Sequence, residues 1–234
     1  MEDKIDTVEN DTRRAYCKGR KEMIKTGPWE EPDLDPAFEE RDRCRKAGIP
    51  VNIAETERLL IRETVMEDVP ALYGMRQQPG MGAYMEPMQP TLKEELEFME
   101  AYIRHMYAFY DFGLWTILEK KSGVIVGRAG LFPSKLLDEG VELGYMIAPD
   151  RQGRGYAPEC GRAILDYAGN VLDLKELHIL ADSWNQPSVR TARRLGFTER
   201  EMIQKDHRKY RHFIWKHQGV GSQMEGNSLK GSCF

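Results

Sequence analysis

Four cysteines in 234 residues, Cys17, Cys44, Cys160 and Cys233, stand far apart with no C-x-x-C pair. Neither a disulfide frame nor a metal site is expected from them, and the thiols read as reduced. No apolar run approaches the roughly 20 residues that a bilayer-spanning helix needs. The opening MEDKIDTVENDTRR is rich in charge and lacks the apolar centre of a secretory signal. A basic surplus is missing too, since 34 Lys and Arg stand against 38 Asp and Glu, a net charge of -4. Nothing therefore asks for nucleic acid as a partner. No G-x-x-x-x-G-K-[ST] loop occurs, and counting from Gly153 the third glycine position of a dinucleotide fingerprint is Pro158. The expectation is a cytoplasmic chain with no membrane or nucleic-acid partner, and with its oligomeric state open. The length suits one substantial domain with an appendage.

The stretch VELGYMIAPDRQGRGYA, Val141 to Ala157, organises what is present. Val141, Leu143, Tyr145 and Ile147 alternate with Glu142, Gly144, Met146 and Ala148, the period of a strand. Gln152, Gly153, Arg154, Gly155, Tyr156 and Ala157 then make a turn leading into Pro158 and an apolar-periodic helix. Free N–H groups at a helix start, two glycines that let an anion approach the main chain, and two nearby arginines predict a phosphate or pyrophosphate site.

The Q-x-x-G-x-A run from Gln152 to Ala157 resembles the GNAT superfamily of acetyl-CoA-dependent N-acetyltransferases, in particular its ribosomal-protein N-terminal acetyltransferase branch. ETERLLIRE (Glu55 to Glu63) and NQPSVRTARRLGF (Asn185 to Phe197) carry the same resemblance, which covers about Glu55 to Lys216. It implies an α/β fold of α+β type: a mixed, mostly antiparallel twisted sheet of about six to seven strands, helices on both faces, and one splayed parallel pair. It further implies acetyl-CoA as co-substrate, no metal, and an amine acceptor, either a small molecule or a peptide N-terminus. Gln152 to Ala157 would hold the pyrophosphate, main-chain groups of Met146 and Ile147 would pair with the pantetheine arm, and Asn185 would bond the same arm.

Taken in order, residues 1–54 read as an extension, partly helical or disordered, with caps at Asp11, Thr12 and Asp35. Residues 55–217 form the expected acetyltransferase domain, with its first strand at Arg58 to Arg62. Thr64-x-x-Glu67 reads as a capping box opening a helix through Leu72 and Met75. Pro79 to Pro90 reads as a loop, and Thr91 caps a helix whose apolar residues run from Leu92 to Tyr110. Two strands, Gly113 to Lys120 and Val124 to Phe132, precede the organising one. Leu177 to Ala181 is a strand, Pro187 to Leu195 a short helix, and a last pair of strands ends near Lys216. The glycine- and serine-rich residues 218–234 read as a disordered tail.

Acetyl transfer from a thioester requires a neutral amine, so a proton acceptor is needed, and Glu142 on the organising strand is the first candidate. Its alternative is an acid that pairs with an arginine or faces solvent. Glu159 ranks second, because an acid in a first helical turn is explained by the helix dipole. The resemblance places a tyrosine four residues before Gly196-Phe197, where this chain has Ala192. The thiolate's proton donor is therefore open, and Ser188 is the substitute that the resemblance offers. The alternatives are helix capping for Ser188 and turn formation for Asn185. His207, His212 and His217 read as solvated strand residues. Glu86, Glu94, Glu95, Glu97 and Glu100 are expected to border the acceptor mouth and draw cations, or else to form a solvated helix face. A catalytically silent acyl-CoA-binding module is the alternative to an enzyme.

Overall fold

The computed structural model describes residues 36–205 and 207–218. The helices are α1 (Pro36–Lys46), α2 (Val69–Arg76), α3 (Leu92–Tyr110), α4 (Tyr156–Asn170) and α5 (Gln186–Arg194). The strands are β1 (Asn52–Glu55), β2 (Leu59–Arg62), β3 (Leu114–Glu119), β4 (Ile125–Pro133), β5 (Val141–Ile147), β6 (Glu176–Asp182), β7 (Thr198–Glu199), β8 (Ile203–Lys205) and β9 (Arg208–Lys216). They form one sheet in the order β1-β2-β3-β4-β5-β6-β9-β7, with β8 also on β9. Nine strands exceed the expected six to seven because β1 precedes the expected first strand and the C-terminal pair is three segments. The caps expected at Asp11, Thr12 and Asp35, and all but its first residue of the tail, lie outside the described residues.

Side-chain alternation assigns the two faces of the sheet. Leu143 and Ile147 join the main core with Cys160, Ile164 and Ala168 of α4, while Met146 packs with Leu72 and Met75 of α2 on the other face. Helices thus cover both faces. Thr91 accepts from the N–H of Glu94, and Glu94 accepts from the N–H of Thr91, so the capping box of α3 forms as its sequence predicts. The box expected at Thr64 does not form. Thr64 instead donates to the Leu114 carbonyl, and Asp68 accepts from Val65 N–H, Thr116 and Arg62 at the start of a 3-10 turn.

The expected domain start at residue 55 falls inside the β1–β2 hairpin, and α1 is tied to the sheet by charge. Arg41 pairs with Asp111 at the end of α3, and Arg45 lies 2.7 Å from both Glu63 and Asp111. All four side chains are nearly buried. Cys44 is buried in the core beside Val51 and Ile53 and is disulfide-bonded, which corrects the expectation of a reduced thiol there. We therefore place α1 with the domain.

Asp111 adopts a left-handed backbone at the end of α3 (φ 59°), a conformation that Asn tolerates. Asp111→Asn removes the charge and leaves Arg41 buried without its partner, so a loss of about 3 kcal/mol is expected in urea unfolding. Deleting residues 1–50, most of the segment that reads from the sequence as an extension, is expected to destabilise the domain at least as much. Full stability in both variants would show that α1 is an appendage.

Candidate active site

The ladder between β5 and β6 is the only parallel one among the described strands, and it has a single register pair, Glu142 opposite His178. Along the other edge of β5, all seven residues from Val141 to Ile147 pair with β4. β5 and β6 therefore diverge beyond Glu142, and the β6-facing edge of β5 has no strand partner beyond Leu143 among the described residues. Main-chain direction alternates along a strand. A Cβ on Gly127 would lie 2.1 Å from the Met146 carbonyl, and Ala148 N–H donates to Val126, so residues 146 and 148 point to β4. The main-chain groups of Tyr145 and Ile147 consequently face the opening. Met146, expected to pair through its main chain, turns that group away. The Ile147 carbonyl accepts from Gln152 Nε2 at 3.0 Å.

The opening leads to the N-terminus of α4. Gly153 and Gly155 hold φ of +74° and +82°, and among the described residues the N–H groups of Gly153, Arg154 and Gly155 donate to no main-chain carbonyl. Tyr156 and Ala157 begin α4, where N–H groups have no partner within the helix. Five consecutive donors at the positive end of a helix dipole are the elements of an anion cradle, a role taken up under the proposed function. The Tyr156 side chain turns inward and donates to Glu119, whose carboxyl is held down to about 2 by that bond first, then by Ser122 and Arg151. Arg154 donates to the Asp150 carbonyl.

Arg58 was read from the sequence only as a strand residue. It reaches the same mouth, pairs with Glu159, donates to the Arg154 carbonyl, and lies 4.6 Å over the Tyr156 ring. Burial acts against the Glu159 charge, but Thr56 and Arg58 together hold its pKa below the usual range. A carboxylate so engaged makes a poor base, which moves Glu159 from second candidate to positioning residue for the turn.

Glu142 is half-buried on the opposite face from α4, and burial raises its pKa, with Ser134 and Lys135 opposing. No arginine pairs with it among the described residues. Asn185 caps α5 by accepting from Ser188 N–H at 3.2 Å through its Oδ1. Ser188 lies on the first turn of α5, beside the Tyr145 side chain. The Tyr145 hydroxyl is buried with no aligned hydrogen bond; burial raises its pKa, while proximity to Ser188 and Thr191 opposes the rise. Sequence reading took Tyr145 only as a strand residue.

His212, expected to be solvated, packs against His178 with Nδ1 and Nε2 3.0 Å apart, and burial lowers both pKa values. The acids expected at the acceptor mouth have local partners. Glu86, Glu97 and Glu100 pair with Lys135, Lys93 and Arg104, Glu94 caps α3, and Glu95 is buried and bonded to Gln89 N–H. The solvated-face reading fits most of them, and Glu95 fits neither.

A family model for the acetyltransferase (GNAT) domain matches residues 58–198, more than half of the chain. The chain belongs to the GNAT acetyltransferase family. The splayed strands and the turn at Gln152 are the features of this GNAT chain just described. The YkkB protein of Bacillus subtilis (strain 168) is 35% identical over 97 residues, 41% of this chain and 56% of that relative. The matched segment thus spans little more than half the length of that relative. A putative ribosomal-protein-serine acetyltransferase from Vibrio cholerae superposes with a TM-score of 0.60 at 21% identity, covering 71% of this chain and 97% of that one. A spermidine N-acetyltransferase from the same organism, solved with CoA and spermine, gives 0.57 at 20% identity over 69% and 96%. At these identities the likeness is one of fold. Among the described residues no helix is long and apolar enough to cross a membrane.

Gly155→Asp places a carboxylate at the mouth of the cradle, in a backbone conformation that Asp tolerates better than most residues. Titration calorimetry with CoA is expected to show binding lost while the thermal midpoint without ligand stays near wild type. Binding of undiminished affinity would remove the turn from the cofactor site.

Proposed function

We propose that the protein is an N-acetyltransferase that moves an acetyl group from acetyl-CoA to a primary amine by direct attack within a ternary complex. The observation that carries this reading is the unpaired edge of β5, which opens beside the N–H cradle at Gly153 to Ala157. An extended pantetheine arm fits there as an added strand, bonding the main-chain groups of Tyr145 and Ile147 and the Asn185 amide. Its pyrophosphate meets the five N–H groups, with Arg154 supplying charge and Gln152 holding the strand end. The V. cholerae neighbour solved with CoA and spermine supports CoA as the co-substrate and an amine as the acceptor.

The amine nitrogen attacks the thioester carbonyl carbon, and holding both in one cleft supplies much of the rate. Glu142 takes the amine proton, directly or through one water, and its raised pKa suits it to that task. The carbon–sulfur bond then breaks, and the thiolate collects a proton from Ser188, with the Tyr145 hydroxyl behind it. Ala192 is fully buried and offers no hydroxyl. A silent module would instead bind acetyl-CoA and release no thiol in the presence of any amine.

Thiol release across peptides, polyamines, aminoglycosides and amino acids tests the reaction and finds its acceptor. Glu142→Gln is expected to lower kcat by about 10²-fold. Because the Glu142 pKa is raised, the group is protonated and idle at low pH. Wild-type kcat/KM should therefore rise with pH through that value, whereas the variant should recover only as the free amine deprotonates at higher pH. Wild-type rates in the variant at every pH would take the base role away from Glu142. Ser188→Ala should cost less than Glu142→Gln.

A further inference from the structure

The Arg154 carbonyl stands two residues before α4, and the helix supplies it with no donor. Its i+4 partner would be the N–H of residue 158, which is proline. The next carbonyl, that of Gly155, accepts in the usual way from Glu159 N–H at 3.2 Å. Among the described residues no main-chain N–H reaches the Arg154 oxygen, and Arg58 Nη1 donates to it at 3.0 Å instead. That guanidinium is held in place by its neighbours. Its Nε lies 2.7 Å from Glu159 Oε2, and its centre stands 4.6 Å over the Tyr156 ring. Glu159 is itself fixed by the Thr56 hydroxyl at 2.5 Å and by Arg58 N–H at 3.3 Å, while Tyr156 is fixed by its bond to Glu119. Arg58 Nη2 lies 3.6 Å from where a Cβ on Gly155 would stand, so the guanidinium borders the turn itself.

A peptide unit is planar and trans, so its C=O and N–H point in opposite directions. Fixing the Arg154 oxygen on Arg58 therefore also fixes the Gly155 N–H, which points away from Arg58. Reversing this peptide exchanges the two groups and needs only ψ of Arg154 and φ of Gly155 to rotate. Gly155 holds φ of +82° and, having no Cβ, accepts a negative φ as readily. The turn thus has two accessible forms that differ in one peptide. In one form the Gly155 N–H stands among the donors of Gly153 to Ala157; in the other a carbonyl oxygen takes its place and repels an anion. The bond from Arg58 selects the first form. The Glu159 carboxylate offsets the guanidinium charge, which leaves orientation rather than attraction as the part Arg58 plays.

We propose that Arg58 is a positioning residue for the cofactor: by bonding the Arg154 carbonyl it holds the 154–155 peptide in the orientation that presents the Gly155 N–H to the pyrophosphate. Glu159 and Tyr156 aim the guanidinium, and Pro158 leaves the carbonyl free to be held. The inference rests on the acetyl-CoA reading and assigns part of the cofactor affinity to a residue outside the turn.

Calorimetry on the full chain with CoA and with dephospho-CoA, together with crystal structures of the ligand-free protein, tests this. Arg58→Gln is expected to weaken both ligands by the same factor, at least about tenfold, the scale of one charge-assisted hydrogen bond. Its structure should show the 154–155 peptide reversed or divided between two orientations, with φ of Gly155 turned negative in the reversed one. Arg58→Lys keeps a charged donor near the Arg154 oxygen and should recover part of the affinity. Glu159→Ala should weaken CoA as well, because Arg58 loses its aim, although the change leaves more positive charge at the mouth. Four results would overturn the inference while leaving the cofactor site standing. They are undiminished CoA affinity in Arg58→Gln, a single positive φ retained at Gly155 in that variant, a loss confined to CoA that marks a grip on its 3′-phosphate, and tighter binding in Glu159→Ala that marks simple attraction. If the wild-type protein binds neither ligand, the acetyl-CoA reading fails and the ligand-free structures decide alone. A single positive φ at Gly155 that is lost in Arg58→Gln upholds the hold of Arg58 on the peptide, and a retained one overturns it.

Discussion

A parallel ladder of one pair, Glu142 opposite His178, is the constraint on which the site depends. Each further pair between β5 and β6 would close the gap from which the main-chain groups of Tyr145 and Ile147 look out. The other edges must then hold β5 in place, and they do so. Seven consecutive pairs fix it to β4, and seven more fix β6 to β9. An unsatisfied strand edge inside a sheet is tolerable because water, or a ligand that behaves as a strand, completes it.

Around that gap the chain arranges charge by burial and pairing. Glu119 and Glu159 both lie near the turn after β5, yet hydroxyl and guanidinium partners hold each in its ionised form. Glu142 has burial without an arginine, so its pKa moves the other way. On the far side of Met146, Arg76 and Arg128 each keep a buried Nε without an acceptor among the described residues. Neighbouring groups thus differ in role because their partners differ, although their residue types are the same.

Much of the fold was legible because its signals are local. Alternation marked β5, the Thr91–Glu94 pair marked the start of α3, and the glycines before Tyr156 marked a turn with positive φ. The resemblance carried the order of these pieces. Of the candidate site, the run from Gln152 to Ala157 was legible as a glycine turn opening a helix. Side-chain roles were less so. Nothing local tells that Asn185 spends its oxygen on Ser188 N–H, or that Arg58, 101 residues before Glu159, neutralises it. The short loop-side pieces of the sheet, β1 and β8, escaped for the same reason, since pairing with β2 and β9 defines them more than their own sequence.

By itself the sequence determined, from local spacing, a strand, a glycine turn and a helix start in succession with an acid on that strand, while the order of the remaining elements came through the resemblance to the GNAT superfamily. Only the tertiary structure decided which edge of β5 stays open, that Tyr145 rather than Met146 turns its main chain to that edge, and that Tyr145 lies beside Ser188. It also brought Arg76 and Arg128, 52 residues apart, into one cavity. Those outcomes depend on register and on packing between distant segments. A one-residue change in pairing with β4 would exchange the two faces of β5 and leave the local pattern unchanged.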